Sequence, residues 1–214
     1  MPGQAIKFLF FAAVLILPAL FVQGQRSVNG KTLISDDLPK IKIRLKGNFK
    51  YAGKFDFKLG ETAAGERYVF VDAKKKRIQR IFVAQFEGFL PGVKKTYNYK
   101  FDNALKFGAH KFRQNTYAYS NEEDRRTKPG NEGVLMAAFL REKGYTFEDE
   151  FMMSRFVTVP DVERRHELIL FYIENAGTTG HRLSEFYNGD DETEVWRKIS
   201  VGLTERSLKA FEIE

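Results

Sequence analysis

The sequence predicts an α+β fold: a curved, mainly antiparallel sheet packed against one or two helices. Three observations predict it. Long stretches alternate apolar and polar residues at the period of strands. Only two segments, near 134–140 and 195–211, carry helical spacing. The order is strands, helix, strands, helix, without the regular βαβ alternation of a parallel sheet.

The chain opens MPGQAIKFLFFAAVLILPALFVQGQ. Lys7 supplies positive charge, residues 8–22 are apolar apart from Pro18, and Val22-Gln23-Gly24 suits a signal peptidase. This three-part pattern predicts a secretory signal over 1–24, followed by one α+β domain over 25–214. A membrane-spanning helix needs about 20 apolar residues, and this run is shorter. No transmembrane span is therefore expected after cleavage, and the expected location is secreted or periplasmic. An uncleaved anchor is the alternative.

The first strands follow from IKIRLKGNFKYAGKFDFKLG. Ile41, Ile43 and Leu45 share one face, then Phe55, Phe57 and Leu59, with lysines and Arg44 in the gaps and breaks at Gly47 and Gly53. ERYVFVDAKKKRIQRIFVAQFEGF reads as a hairpin with arms at 68–71 and 78–89, turning through Asp72 and solvated Lys74, Lys75 and Lys76. KTYNYKF alternates, placing Tyr97, Tyr99 and Phe101 on one side, and HKFRQNTYAYS reads as a further strand. Residues 120–133 are polar, charged and punctuated by Pro129-Gly130, so they are expected as an exposed, mobile loop.

The helix over 134–140 is apolar almost all round and should be covered on more than one side. Asn131 is its expected cap, and Lys143-Gly144 its stop. FMMSRFVTVPDVERRHELILFYIEN reads as a second hairpin, turning through Pro160-Asp161 and Arg164-Arg165. Near the C-terminus Asp191 or Thr193 caps a helix containing Val195, Trp196 and Ile199. Gly202 and Thr204 are expected to break it, with Leu208 and Phe211 continuing.

Composition excludes several chemistries. With no cysteine there is no disulfide, thiolate metal site, cysteine nucleophile or lipoprotein anchor. No Asn-x-Ser/Thr sequon occurs, which fits a bacterial envelope or secreted protein better than an animal one. The formal charge of +7 is read first as serving solubility, with an anionic envelope component as the partner it would otherwise suit. The secretory route argues against nucleic acid, and aromatics interleaved with lysines are read as the two faces of a sheet. Phosphate loops and the G-x-S-x-G elbow are absent. His110, His166 and His181 are scattered, so neither a metal nor a cofactor is expected.

One feature of the hairpins calls for a function. Gln85 and Glu87 fall on the same face of an oily strand as Ile81 and Val83. In the second hairpin Arg155 lies between Met153 and Val157, while Tyr172 and Glu174 share a face with Leu168 and Leu170. Buried charges are costly unless paired, and Glu87 with Arg155 is the expected pair. Gln85, Glu87, Arg155, Tyr172 and Glu174 are the candidate ligand-binding residues, lining an apolar cavity with a few polar contacts. The alternative places them at strand ends reached by water. The leading expectation is non-catalytic binding of an apolar or amphipathic small molecule, or of an envelope component. A hydrolase using Glu87 with a histidine and a basic interaction protein without a pocket are the other two readings.

Overall fold

A computed structural model of the chain describes residues 26–214. The signal expected over 1–24 lies outside the described residues. Strands β1 (Arg26–Asn29), β2 (Thr32–Ser35) and β3 (Ile41–Leu45) come first. The long strands β4 (Lys50–Leu59), β5 (Ala63–Lys74) and β6 (Arg77–Phe89) follow, then short β7 (Leu105–Phe107) and β8 (His110–Ser120). Helices α1 (Asn121–Thr127) and α2 (Glu132–Glu142) precede the hairpin of β9 (Glu150–Thr158) and β10 (His166–Asn175). The chain ends with the two-residue strands β11 (Tyr187–Asn188) and β12 (Asp191–Glu192), helix α3 (Glu194–Lys209) and β13 (Phe211–Ile213).

The fold is α+β with antiparallel sheets. A seven-stranded sheet runs β4-β5-β6-β10-β9-β8-β7, and a four-stranded sheet runs β1-β2-β3-β13. The central strands β6 and β10 are apolar on both sides because both faces of the large sheet are covered. On one face, Phe70, Phe82, Phe156, Leu170 and Tyr172 meet Ile43, Leu45 and Phe211 of the small sheet and Trp196 and Leu203 of α3. On the other, Val69, Val83, Val157, Ile169 and Phe171 meet Met136 and Leu140 of α2. No helix among the described residues is long and apolar enough to cross a membrane.

The β5–β6 turn is made by Lys75 and Lys76, both at positive φ (49° and 66°). Two such residues match the twist of the flanking strands. The register of this hairpin slips at Asp72/Ala73, where Ile78 and Arg80 are the successive partners on β6. One extra residue, Gln79, reverses the side-chain alternation. Ile78, which strict alternation would put on the face of Phe82, therefore packs with Ile81 and Val83 toward α2.

Three expectations are corrected. Residues 120–133 are not a plain loop, because α1 occupies half of them. The Ser120 hydroxyl accepts from the Glu123 N–H at 3.1 Å, and Asp149 accepts from the Glu122 N–H at 2.7 Å and from the Ser120 hydroxyl at 2.6 Å. These bonds satisfy first-turn donors that would otherwise be orphaned. The segment around Tyr97 and Tyr99 joins no sheet. Arg164 and Arg165, from the β9–β10 turn, hold it by donating to the carbonyls of Tyr97 (2.7 Å), Leu90 (3.0 Å) and Val93 (2.5 Å). Finally, α3 runs unbroken through Gly202 and Thr204, capped by Thr193. Burial of Trp196, Leu203 and Ser207 outweighs the cost of one interior glycine, about 1 kcal/mol. Phe211 leaves the helix to pair with Leu45 in the small sheet.

Candidate functional site

The polar residues of β6 form part of a ladder buried under the α2 side of the large sheet. Gln85 lies between Arg67 of β5 and Ile169 of β10, and Glu87 between Gly65 and Glu167. Arg67, Gln85, Glu87 and Glu167 are 6%, 1%, 8% and 4% exposed, so each needs partners from the protein. Arg67 Nε donates to Gln85 Oε1 at 2.5 Å, and Gln85 Nε2 donates to Glu87 Oε2 at 2.7 Å. The Tyr97 hydroxyl donates to Glu87 Oε1 at 2.7 Å. The amide of Gln85 thus connects a guanidinium to a carboxylate.

Burial sets the electrostatics. It pushes the Glu87 carboxyl above its ordinary range, against the pull of the Tyr97 and Gln85 hydrogen bonds. Glu167, directly across from Glu87, is pushed up to about 7 by burial, and its Oε2 has no hydrogen-bond partner. Burial also lowers the pKa of Arg67. Arg67 makes a second hydrogen bond, to the Glu132 carbonyl at 2.8 Å. Arg155 donates to the Tyr99 hydroxyl at 3.2 Å and lies over that ring, 5.6 Å from its centroid. Among the described residues, neither Arg67 nor Arg155 forms a salt bridge.

A cavity of about 320 Å³ opens where these two arginines meet the start of α2. Val83, Met153, Ile169, Phe171 and Ile173 of the sheet and Met136 of α2 form its apolar walls. Arg67, Arg155, Tyr117, Tyr119, Asp124 and Glu132 supply its polar groups. Asn131 shapes the α2 end by accepting from the Val134 N–H at 2.8 Å. At the other end of the ladder a larger, open cleft of about 600 Å³ is lined by Glu87, Glu167, His166, Phe57, Glu66 and Arg26, among others.

The structure brings Gln85, Glu87 and Arg155 to one face. The expected Glu87–Arg155 pair does not form. Glu87 is held by Tyr97 and Gln85, and Arg155 by Tyr99. Tyr97 and Tyr99 fall between the two groups, their rings stacked with centroids 6.4 Å apart. Tyr172 and Glu174 are on the opposite face, away from the cavity. The Tyr172 hydroxyl donates to Glu174, which also accepts from Arg206 Nε at 3.0 Å and Nη2 at 2.8 Å. These two residues brace α3 against the sheet.

Arg67, Glu167, Tyr97 and Tyr119 were not singled out by the sequence. Arg67 carries the signal that flagged Gln85, a polar residue in phase with Val69 and Val71. Glu167 is in phase with Ile169 and Phe171, the parity of β10 opposite to that of Tyr172. No such signal marks Tyr97, whose segment pairs with no strand. His166 pairs with Gly88, the parity opposite to Glu87, although both residues line the open cleft, and its Nδ1 lies 3.2 Å from Asp161 Oδ2. No group of three or more His, Cys, Asp or Glu among the described residues is arranged to hold a metal ion. No family model, curated protein or solved structure matches the chain.

Proposed function

We propose that the protein is an exported, non-catalytic binder of a small amphipathic molecule, held in the cavity between α2 and the large sheet. The observation that carries this reading is the composition of that cavity: apolar walls from sheet and helix, with polar groups from Arg67, Arg155, Tyr117, Tyr119, Asp124 and Glu132 among them. Its volume falls at the small end of the range of about 300–1,000 Å³ usual for small-molecule sites. Export rests on the pattern of residues 1–24. The hydrolytic alternative requires a histidine against Glu87, and the two hydrogen bonds of that carboxylate go to Tyr97 and Gln85.

Filling the cavity tests the reading. Protein purified from its source is denatured, extracted with solvent and analysed by mass spectrometry, alongside Met136→Trp. A stoichiometric small amphipath in the wild type, absent from the variant, is expected. Equal recovery from both proteins would contradict it, as would an empty wild type that no amphipath stabilises against heat.

A further inference from the structure

We infer that the ligand of this cavity is a carboxylate, an amphipathic monoanion whose head group lies between Arg67 and Arg155 and whose body lies on Val83, Ile169 and Phe171. The inference rests on the reading of the cavity as a small-molecule site and goes further by assigning the charge of the ligand.

A guanidinium carries five N–H donors. The hydrogen bonds of Arg67 go to an amide oxygen and a backbone carbonyl, and that of Arg155 goes to a phenol. All these acceptors are neutral. Arg67 is buried and Arg155 half-buried; a buried cation without an ionised partner is costly, and a carboxylate matches the planar guanidinium fork in two-bond geometry. Glu167 also lies nearby, with a buried, unpartnered Oε2 and a carboxyl pushed up to about 7, but it makes no hydrogen bond to either arginine, and the other acids have other donors. Glu132 Oε1 accepts from Gln85 at 3.4 Å, Asp124 lies 4.0 Å from the Lys128 ammonium, and Glu87 is held by Tyr97 and Gln85.

Two further observations point the same way. Tyr119 lines the cavity, and its buried hydroxyl has no hydrogen-bond partner. The N-terminal end of α2 also lines the cavity, and helix N-termini favour negative charge. Asp124 and Glu132 on the same rim disfavour a second negative charge on the ligand. A monocarboxylate therefore suits the site better than a phosphate ester.

The test is isothermal titration of the wild-type protein with straight-chain alkanoates from hexanoate to dodecanoate, each compared with the alkanol of equal length. At least one alkanoate is expected to bind about tenfold or more tighter than its alkanol, as charge-assisted contacts to arginine imply. Arg155→Gln is expected to remove most of that preference. Equal binding of acid and alcohol would overturn the carboxylate assignment while leaving the amphipath reading intact. An undiminished preference in Arg155→Gln would overturn the two-arginine clamp. If neither series binds, the small-molecule reading fails with it.

Discussion

Glu87 and Glu167 face each other across β6 and β10, buried and short of cationic partners. An acid whose pKa is raised on folding binds more protons in the folded state. For Glu167, its stabilising contribution is therefore fully present below the ordinary value of 4.5 and is lost as pH rises through about 7. Denaturant unfolding near pH 5 and near pH 8 should show wild-type stability falling, with a slope of up to about 1.4 kcal/mol per pH unit for one proton. Glu167→Gln should flatten that fall, and an unchanged slope would remove Glu167 as its source. Glu87 supports a second expectation. A double-mutant cycle of Glu87→Gln with Tyr97→Phe should give a coupling of about 1–3 kcal/mol, as for a buried hydrogen bond to a charged group. The cycle of Glu87→Gln with Arg155→Gln should give a coupling near zero; the opposite ranking would restore the Glu87–Arg155 pair. Gln85 and Glu87 were legible because a polar residue in phase with valines stands out in a strand. Tyr97, the partner of Glu87, was not, because alternation over 97–101 shows which side chains share a side but not which distant carboxylate they reach.

At the level of elements, hairpins and capped helices were legible, and segments held by distant contacts were not. The β5–β6 and β9–β10 hairpins lie where alternation placed them, and α2 is capped by Asn131 as read. Helix α1 is short and polar, with no apolar stripe to betray it. It depends on Ser120 and on Asp149, which lies across a stretch containing all of α2. Asp149→Ala should remove both contacts and cost about 1 kcal/mol locally, as loss of a cap does. Trypsin should then cleave faster after Arg125 and Arg126 than in the wild type, and equal rates would show that α1 does not depend on Asp149. Gly65 is a tight point between the cleft and the ladder. A Cβ there would press on the Phe86 carbonyl and come within 2.7 Å of Phe57 Cζ. Gly65→Ala should destabilise by about 1–3 kcal/mol, as overpacking does, measurable by denaturant unfolding.

Across the whole molecule, the large sheet is the middle layer, with α2 and the cavity on one side and the small sheet with α3 on the other. Alternation revealed the class of this architecture and not its division into two sheets. β1 and β2 are four residues each, and β13 is three, too short to show a period. β13 nonetheless inserts Phe211 among Phe82, Phe107 and Phe156, with ring centroids 5.3, 5.6 and 5.4 Å away. Phe211→Ala should cost about 3–5 kcal/mol on unfolding, and a loss under about 1 kcal/mol would show that the small sheet docks without it. The same layering makes the cavity, since α2 stands over the sheet where the strands replace apolar side chains with Arg67 and Arg155. The most direct measurement of the central claim is a crystal structure of the protein grown with decanoate. The expected result is ligand density between Met136 and Phe171, with the carboxylate within hydrogen-bonding distance of Arg155. Density for water alone in that cavity, at a decanoate concentration that saturates the protein in solution, would contradict it.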